Sequence, residues 1–308
     1  MPQPHDPQTI RTAKEVELTG ALELLLDDLP PADRVMHAAQ LARTLPAEQW
    51  GGLFVAERWR KVCGVVWGQQ LGGGAAMLWP PRQTTAARPE TADQLVDRAV
   101  DWLRQVDVQV VQSLLPADAE TDATLLQQHG FTLLPNLAYL ASDAVSFPKC
   151  EPESALSFVP VAASDELRLA DLVAQTYRDT LDFPELNGLR SAAEVLEEYR
   201  SAPQYDPALW FLVRHGSQEI GCLLLNDHAD LNQLELVYVG LIPAARGKQW
   251  GQAMVRQAQW QATLRERKQI LVAVSAANRP AIDMYGSTGF FAWQQRQTLV
   301  RFLREATP

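Results

Sequence analysis

One run of segments in the C-terminal half constrains the fold of this chain more than any other feature. An apolar strand is followed by a basic, glycine-containing turn and a helix, and a second strand is followed by a helix that opens on a polar residue. The order places a turn that can bind anions before one helix and a phenol on the next. In chain order these segments are strand 234–243, turn 246–251, helix 251–266, strand 270–274 and helix 279–288.

The turn has the composition of a phosphate cradle. Its position between a strand and a helix directs backbone amides and the positive helix end at one spot. Gly247 and Gly251 allow close approach of an anion, and Arg246 and Lys248 add charge. Neither the Walker pattern nor the dinucleotide Gly-x-Gly-x-x-Gly pattern is present. An ordinary helix start with basic surface residues is the alternative interpretation.

This turn resembles the pyrophosphate loop of the GNAT superfamily of N-acetyltransferases, Arg/Gln-x-x-Gly-x-Gly/Ala. Arg246, Gly251 and Ala253 match, whereas Gln249 replaces the first glycine and must supply its amide from a conformation open to other residues. The resemblance implies acetyl-CoA as co-substrate, held partly by the backbone of the strand before the turn; Trp250 is expected mainly to pack the helix start. The residues implied in cofactor binding are Val239, Gly240, Leu241, Arg246, Gly247, Lys248, Gln249, Trp250, Gly251, Gln252, Asn278 and Ala281.

The last helix of the segment carries the most specific signal. Asn278-x-x-Ala281-x-x-x-Tyr285-x-x-x-Gly289-Phe290 matches the closing motif of the same family. We predict that Asn278 caps the helix and that Tyr285 protonates the departing thiolate, because a phenol pKa near 10 exceeds a thiol pKa near 8.5. A plain helix cap and a half-buried aromatic residue are the alternatives.

The proton acceptor and the substrate site are less strongly indicated. Glu235 is the candidate base, since tandem enzymes resembling mycothiol synthase place a glutamate comparably; a solvent-exposed carboxylate at the strand start is an equal alternative. For the acceptor we predict weak contacts from Asp182, Glu185 and Asn187, in a polar stretch between two helices that is otherwise a plain connection.

The two halves of the chain repeat one another. Gly130-Phe131 precedes Gly289-Phe290 by 159 positions, and Pro80 precedes Pro243 by 163, each predicted to close a strand. The closing motif is lost in the first half, where Ala119 and Leu126 replace Asn278 and Tyr285. We therefore predict an α/β fold of two tandem acetyltransferase-like domains, each a mixed, mainly antiparallel twisted sheet flanked by helices: a degenerate domain over 1–145 and a catalytic domain over 155–308.

Composition narrows the remaining possibilities. A net charge of −10, with an acidic excess in both halves, argues against nucleic acid or membrane as a partner. Cys63, Cys150 and Cys222 form no CxxC pattern and indicate reduced thiols in the cytoplasm. The five histidines lack metal-ligand spacing, so we predict no metal site. We also predict a monomer or homodimer.

Together these observations predict an acetyl-CoA-dependent N-acetyltransferase. The acceptor is expected to be a small-molecule amine that attacks the thioester directly, without a covalent enzyme intermediate. Two alternatives stay open: mycothiol synthase proper, which shares the tandem layout, and a non-catalytic acyl-CoA sensor, which Gln249 makes conceivable.

Overall fold

The chain forms two compact units in the computed structural model, which describes residues 8–303 apart from the side chain of residue 163. Unit 1 runs up to Leu133 and also takes the residues from Gln297 onward; unit 2 is Leu134–Arg296. Over the described residues, no helix has both the length and the apolarity needed to cross a membrane.

Unit 1 is an α/β unit with the strand order β1-β2-β3-β4-β5. Its neighbouring strands pair antiparallel up to β4, while β4 and β5 are parallel. Its elements are β1 (Thr9–Thr12), α1 (Leu18–Leu25), α2 (Pro31–Thr44), β2 (Leu53–Arg58), β3 (Lys61–Gln70), β4 (Ala75–Gln83), α3 (Thr91–Gln105), β5 (Val110–Pro116) and α4 (Glu120–Gln128).

Unit 2 repeats this arrangement with the strand order β7-β8-β9-β10-β11-β6. Only β10 and β11 pair in parallel among its strand pairs described here. Its elements are β6 (Thr132–Asp143), β7 (Leu156–Pro160), α5 (Glu166–Thr176), α6 (Ala192–Ser201), β8 (Tyr205–His215), β9 (Gln218–His228), β10 (Gln233–Leu241), α7 (Trp250–Leu264), β11 (Gln269–Ser275), α8 (Arg279–Ser287) and β12 (Phe291–Phe302), whose end from Gln297 belongs to unit 1.

The compact units differ from the predicted ranges of 1–145 and 155–308. Strand β6 was expected in the first domain, but it pairs with β11 from Leu137↔Ser275 to Asp143↔Gln269 and so belongs to unit 2. The residues from Gln297 onward were expected in the second domain and belong to unit 1, where Leu303 N donates to Gln109 O at 2.8 Å. Each unit thus takes a strand encoded in the other half, because sheet hydrogen bonds follow register rather than chain order.

Pro80 does not close its strand as predicted. Strand β4 continues through Pro80 and Pro81 to Gln83. The register with β3 shifts at this point, and the pairing with β5 has already ended at Met77↔Gln112, so neither proline is required to donate a backbone hydrogen bond there.

The sheet of unit 2 is buried on both faces. Leu234 and Leu236 of β10 pack with Met254 of α7 in one cluster, and Leu224 of β9 packs with Leu169 of α5 in the other. All five of these side chains are fully or almost fully buried, and each contributes about 1.5–3 kcal/mol of hydrophobic free energy. The packing fixes the two helix layers between which the site lies.

Candidate active site

The parallel strands β10 and β11 separate near their C-terminal ends. Their pairing runs from Gln233↔Gln269 to Leu236↔Val272 and stops there. Strand β10 nevertheless continues to pair with β9 as far as Leu241↔Gly221. The last part of β10 is therefore bonded on one side and open on the side of β11.

The open edge of β10 presents the main chain of Val239. Ile242 N donates to Ile220 O at 2.9 Å, so Ile242 faces β9. Because backbone groups alternate along a strand, Gly240 also faces β9, while Val239 and Leu241 face the opening. Arg246 Nε donates to the carbonyl of Leu241 at 3.1 Å. An extended ligand could therefore hydrogen-bond to Val239 as an added strand does.

A β-bulge orients the residues before this edge. The register between β10 and β9 shifts between Leu236 and Tyr238, which turns Tyr238 toward the cluster around α5. The Tyr238 hydroxyl lies 2.7 Å from Thr176 Oγ1, which itself donates to Val173 O. Tyr238 is thus the donor in this pair, and it links the bulge to the end of α5.

The turn before α7 adopts the shape of an anion cradle. Gly247 has φ of 75° and Gln249 has φ of 62°, so both lie in the left-handed region. Helix α7 then begins at Trp250, and the first amides of a helix have no acceptors within it. Gln249 adopts the left-handed conformation that the family's glycine would favour, which a non-glycine residue can adopt only at a cost in free energy.

Arg246 makes protein contacts that the sequence did not predict. Its Nη1 donates to Asp179 O at 2.9 Å, and its Nη2 donates at 2.8 Å to Thr176 O and to Arg178 O. With the bond to Leu241, the guanidinium joins the end of α5 to the end of β10. These bonds hold the two elements together, and the charge of the guanidinium lies beside the cradle.

Gly251 allows the start of α7 to lie against α8. A Cβ atom at this position would be 2.5 Å from Met284 Sδ. A larger residue would therefore displace a side chain that lines the site.

The closing motif is built as a helix start and a buried phenol. Asn278 Oδ1 accepts from Ala281 N at 3.3 Å and caps α8. Tyr285, 3% exposed, lies against Phe290 with ring centroids 5.2 Å apart. Burial raises the pKa of Tyr285 well above its usual value, with a further contribution from Asp182, so the phenol keeps its proton.

These features surround one cavity of about 610 Å³. It lies within unit 2 and reaches from the open edge of β10 across the cradle to α8. The predicted site residues that line it are Val239, Gly240, Leu241, Arg246, Gly247, Gln249, Trp250, Gly251, Gln252, Asn278, Ala281, Tyr285 and Asp182. Thr176, Tyr177 and Tyr238 also line it, and nothing in the sequence pattern marked them.

Among the described residues, four predicted site residues lie outside the lining of this cavity. Glu235 is bonded to His228 Nε2 at 3.0 Å, with its side chain 44% exposed. Asn187 Nδ2 donates to Tyr177 O at 3.0 Å, Glu185 is exposed, and Lys248 Nζ lies 4.8 Å from the centre of the Trp250 ring. Trp250 itself packs on His215, with ring centroids 4.6 Å apart.

Comparison with known families agrees with this geometry. Residues 173–290, from the last turn of α5 to just after α8, match the model of the Acetyltransferase (GNAT) family. No curated protein matches the chain.

Solved structures similar to this chain cover nearly all of it. A GCN5-related N-acetyltransferase from Sphaerobacter thermophilus has a TM-score of 0.67 and 15% identity, over 97% of both chains. The tandem GNAT protein from the clavulanic acid biosynthesis pathway has a TM-score of 0.58 and 14% identity, over 98% of this chain and 100% of that one. A glucosamine N-acetyltransferase region of a fungal multi-domain GH3 beta-N-acetylglucosaminidase has a TM-score of 0.68 and 14% identity, over 96% of this chain and 38% of that one.

These likenesses establish the predicted fold class, an α/β fold with GNAT-like units in tandem. By family model and by structural neighbours, the chain is similar to the GNAT acetyltransferases.

Proposed function

We propose that this protein transfers an acetyl group from acetyl-CoA to the amine of a small molecule. One observation carries the proposal: the open edge of β10, the start of α7 and the Tyr285 phenol line the same cavity. The three parts supply a backbone partner for an extended ligand, an anion site and an acid.

The residues present suit acetyl-CoA as a co-substrate. The amides of the turn at 247–251 would bind its pyrophosphate, and the main chain of Val239 would bind its pantetheine arm. Gly247 and Gly251 leave room for the pyrophosphate to approach the backbone closely, whereas the guanidinium of Arg246 is held by protein carbonyls. Backbone amides thus contribute more to this binding than side-chain charge.

The proposed chemistry is direct attack of the amine on the thioester carbonyl. Tyr285 is the acid, because its burial keeps the phenol protonated until a thiolate leaves. Main-chain donors near Val239 would polarise the carbonyl. Glu235 remains a predicted base, but its carboxylate would need a water or a movement to reach the cavity.

Release of free thiol from acetyl-CoA, measured with a panel of amines that includes glucosamine, tests the proposal. The structural neighbour described as a glucosamine N-acetyltransferase motivates that amine. We expect turnover with at least one amine, and a loss of about 10²-fold in kcat for Tyr285→Phe with unchanged CoA affinity.

Tyr205→Phe is the matched control, because Tyr205 packs on Trp210 outside the cavity lining. Tight CoA binding without turnover of any amine would overturn the enzymatic proposal in favour of an acyl-CoA sensor. Normal kcat in Tyr285→Phe would remove Tyr285 from the role of acid.

A further inference from the structure

Asp182 is held at the far end of the opening between β10 and β11. It belongs to the connection between α5 and α6, and its Oδ1 accepts from Ser275 N, the last residue of β11, at 2.8 Å. The side chain of Asn278 also donates to this carboxylate. Asn278 therefore caps α8 with its oxygen and orients Asp182 with its nitrogen.

The site around Asp182 is suited to a proton acceptor. The residue is exposed and lines the cavity, and its carboxylate is held by the Ser275 amide and the Asn278 side chain. Its charge acts on the Tyr285 phenol across the same cavity. Glu235, the other candidate base, is hydrogen-bonded to His228 and does not line the cavity.

We propose that Asp182, rather than Glu235, receives the ammonium group of the acceptor and takes its proton. This inference rests on the proposed function. It also narrows the substrate class to amines that are protonated in solution, because a carboxylate binds a cation more strongly than a neutral group.

The proton balance of the proposed reaction closes with Asp182 and Tyr285 alone. The ammonium gives one proton to Asp182, and the neutral amine forms a C–N bond with the thioester carbon. The C–S bond then breaks, and the thiolate takes the proton of Tyr285. The attacking nitrogen loses its second proton to the phenolate, which restores Tyr285, and Asp182 releases its proton to solvent.

The titration of Asp182 can be distinguished from that of the titratable groups around it. The titratable groups that interact with it are the phenols of Tyr285 on α8, Tyr177 at the end of α5 and Tyr199 on α6. Burial raises the pKa of all three, so they stay neutral where a carboxyl group titrates. Desolvation raises the pKa of Asp182, which the Ser275 amide and Asn278 partly oppose, and a higher pKa makes it a stronger base.

The test is the pH profile of kcat/KM for Asp182→Asn in the full-length protein. We expect a loss of about 10²-fold near neutral pH. In the wild type, kcat/KM should fall at acidic pH, because protonation of Asp182 removes the base. In Asp182→Asn we expect this acidic limb to be replaced by a kcat/KM that rises with pH until the amine itself is deprotonated. Asparagine can still accept from Ser275 N, so CoA affinity and the melting temperature should be kept.

Two variants serve as controls. Glu197→Gln removes an exposed carboxylate from α6, outside the cavity lining, and should leave kcat/KM unchanged. Glu235→Gln removes the rival base and should keep the acidic limb.

The outcomes separate this inference from the proposed function. If the wild type acetylates an amine and Asp182→Asn keeps both its rate and its acidic limb, Asp182 only fastens the connection to β11 and the inference is wrong. Tighter CoA binding in Asp182→Asn would overturn it too, because the carboxylate would then compete with the cofactor. Absence of turnover by the wild type would overturn both proposals.

Discussion

Ser113 Oγ donates a hydrogen bond to the main-chain carbonyl of Leu78 at 2.8 Å in the interior of unit 1. The bond lies directly after Met77↔Gln112, where the pairing of β4 with β5 ends. In unit 2 the corresponding separation of β10 and β11 opens into the cavity. In unit 1 the Ser113 hydroxyl thus occupies the Leu78 carbonyl, which a ligand bound as an added strand would otherwise need as its hydrogen-bond acceptor.

The start of α3 is closed as well. Gln8 Oε1 accepts from Arg88 N at 3.3 Å and from Thr91 Oγ1 at 3.0 Å, at the helix start that corresponds to the cradle in unit 2. Leu126, fully buried, stands where unit 2 has Tyr285. These contacts support the prediction that the first domain is degenerate.

We therefore predict that one CoA molecule binds per chain. Isothermal titration calorimetry should give a stoichiometry of one. Gly251→Val should weaken binding, because its side chain would displace that of Met284, which lines the cavity. Ser113→Ala, in unit 1, should leave CoA affinity unchanged. A stoichiometry of two would show that unit 1 holds a second site.

Much of unit 2 could be predicted from the sequence, because its signals are local. The closing motif sets the cap at Asn278 and the helix that carries Tyr285, and α8 begins at Arg279 as predicted. The repeat is equally local: α4 and α8 have the same length and begin 159 positions apart, the offset between the two Gly-Phe pairs.

The parts that could not be predicted depend on contacts between distant residues. Asp182 and Ser275 are 93 positions apart, and Arg246 and Thr176 are 70 apart. Periodicity cannot show which carbonyl a guanidinium will reach, or that a bulge will turn Tyr238 toward α5. The resemblance indicates a base on the strand, Glu235, whereas the carboxylate that lines the cavity, Asp182, comes from the connection after α5.

Gln249→Gly should stabilise the protein. A left-handed conformation costs a non-glycine residue about 1–2 kcal/mol, and part of that gain is offset by the greater freedom of glycine in the unfolded chain. We expect a net increase of up to about 1 kcal/mol in the free energy of unfolding, measured in urea, with equal or tighter CoA binding. Lys248→Gly is the control, since Lys248 is exposed and has no left-handed φ; it should not stabilise. A loss of stability in Gln249→Gly would show that its side chain supports the turn.

Arg246→Lys should weaken the junction between α5 and β10. A lysine ammonium lacks the planar fork that reaches the carbonyls of Thr176, Arg178 and Asp179 as well as Leu241. We expect a loss of roughly 2 kcal/mol in unfolding free energy and faster proteolysis of the connection after α5. Arg178→Lys, an exposed neighbour, should stay within about 0.5 kcal/mol of the wild type. Equal stability of Arg246→Lys and the wild type would contradict the positioning role.

Stability should fall steeply at alkaline pH. Burial raises the pKa of Tyr177, Tyr199, Tyr238 and Tyr285, and of the Cys222 thiol. Below the pKa values of the unfolded chain, about 8.5 for the thiol and about 10 for the phenols, both states hold these protons. As pH rises further, the unfolded chain releases them while the folded chain does not, so unfolding becomes more favourable.

The contribution of Tyr285 to this decline can be isolated with Tyr285→Phe. Urea unfolding from pH 8 to pH 11 should show that the variant loses less stability per pH unit above about 10, by up to about 1.4 kcal/mol per unit, since one phenol no longer titrates. Phe290→Leu removes a packing partner of Tyr285 without removing a titrating group, so it should lower stability by a similar amount at every pH. If the unfolding free energies of Tyr285→Phe and the wild type fell in parallel with pH, the Tyr285 phenol would ionise as readily in the folded chain as in the unfolded one. Tyr285 would then be a poorer proton donor in the alkaline range.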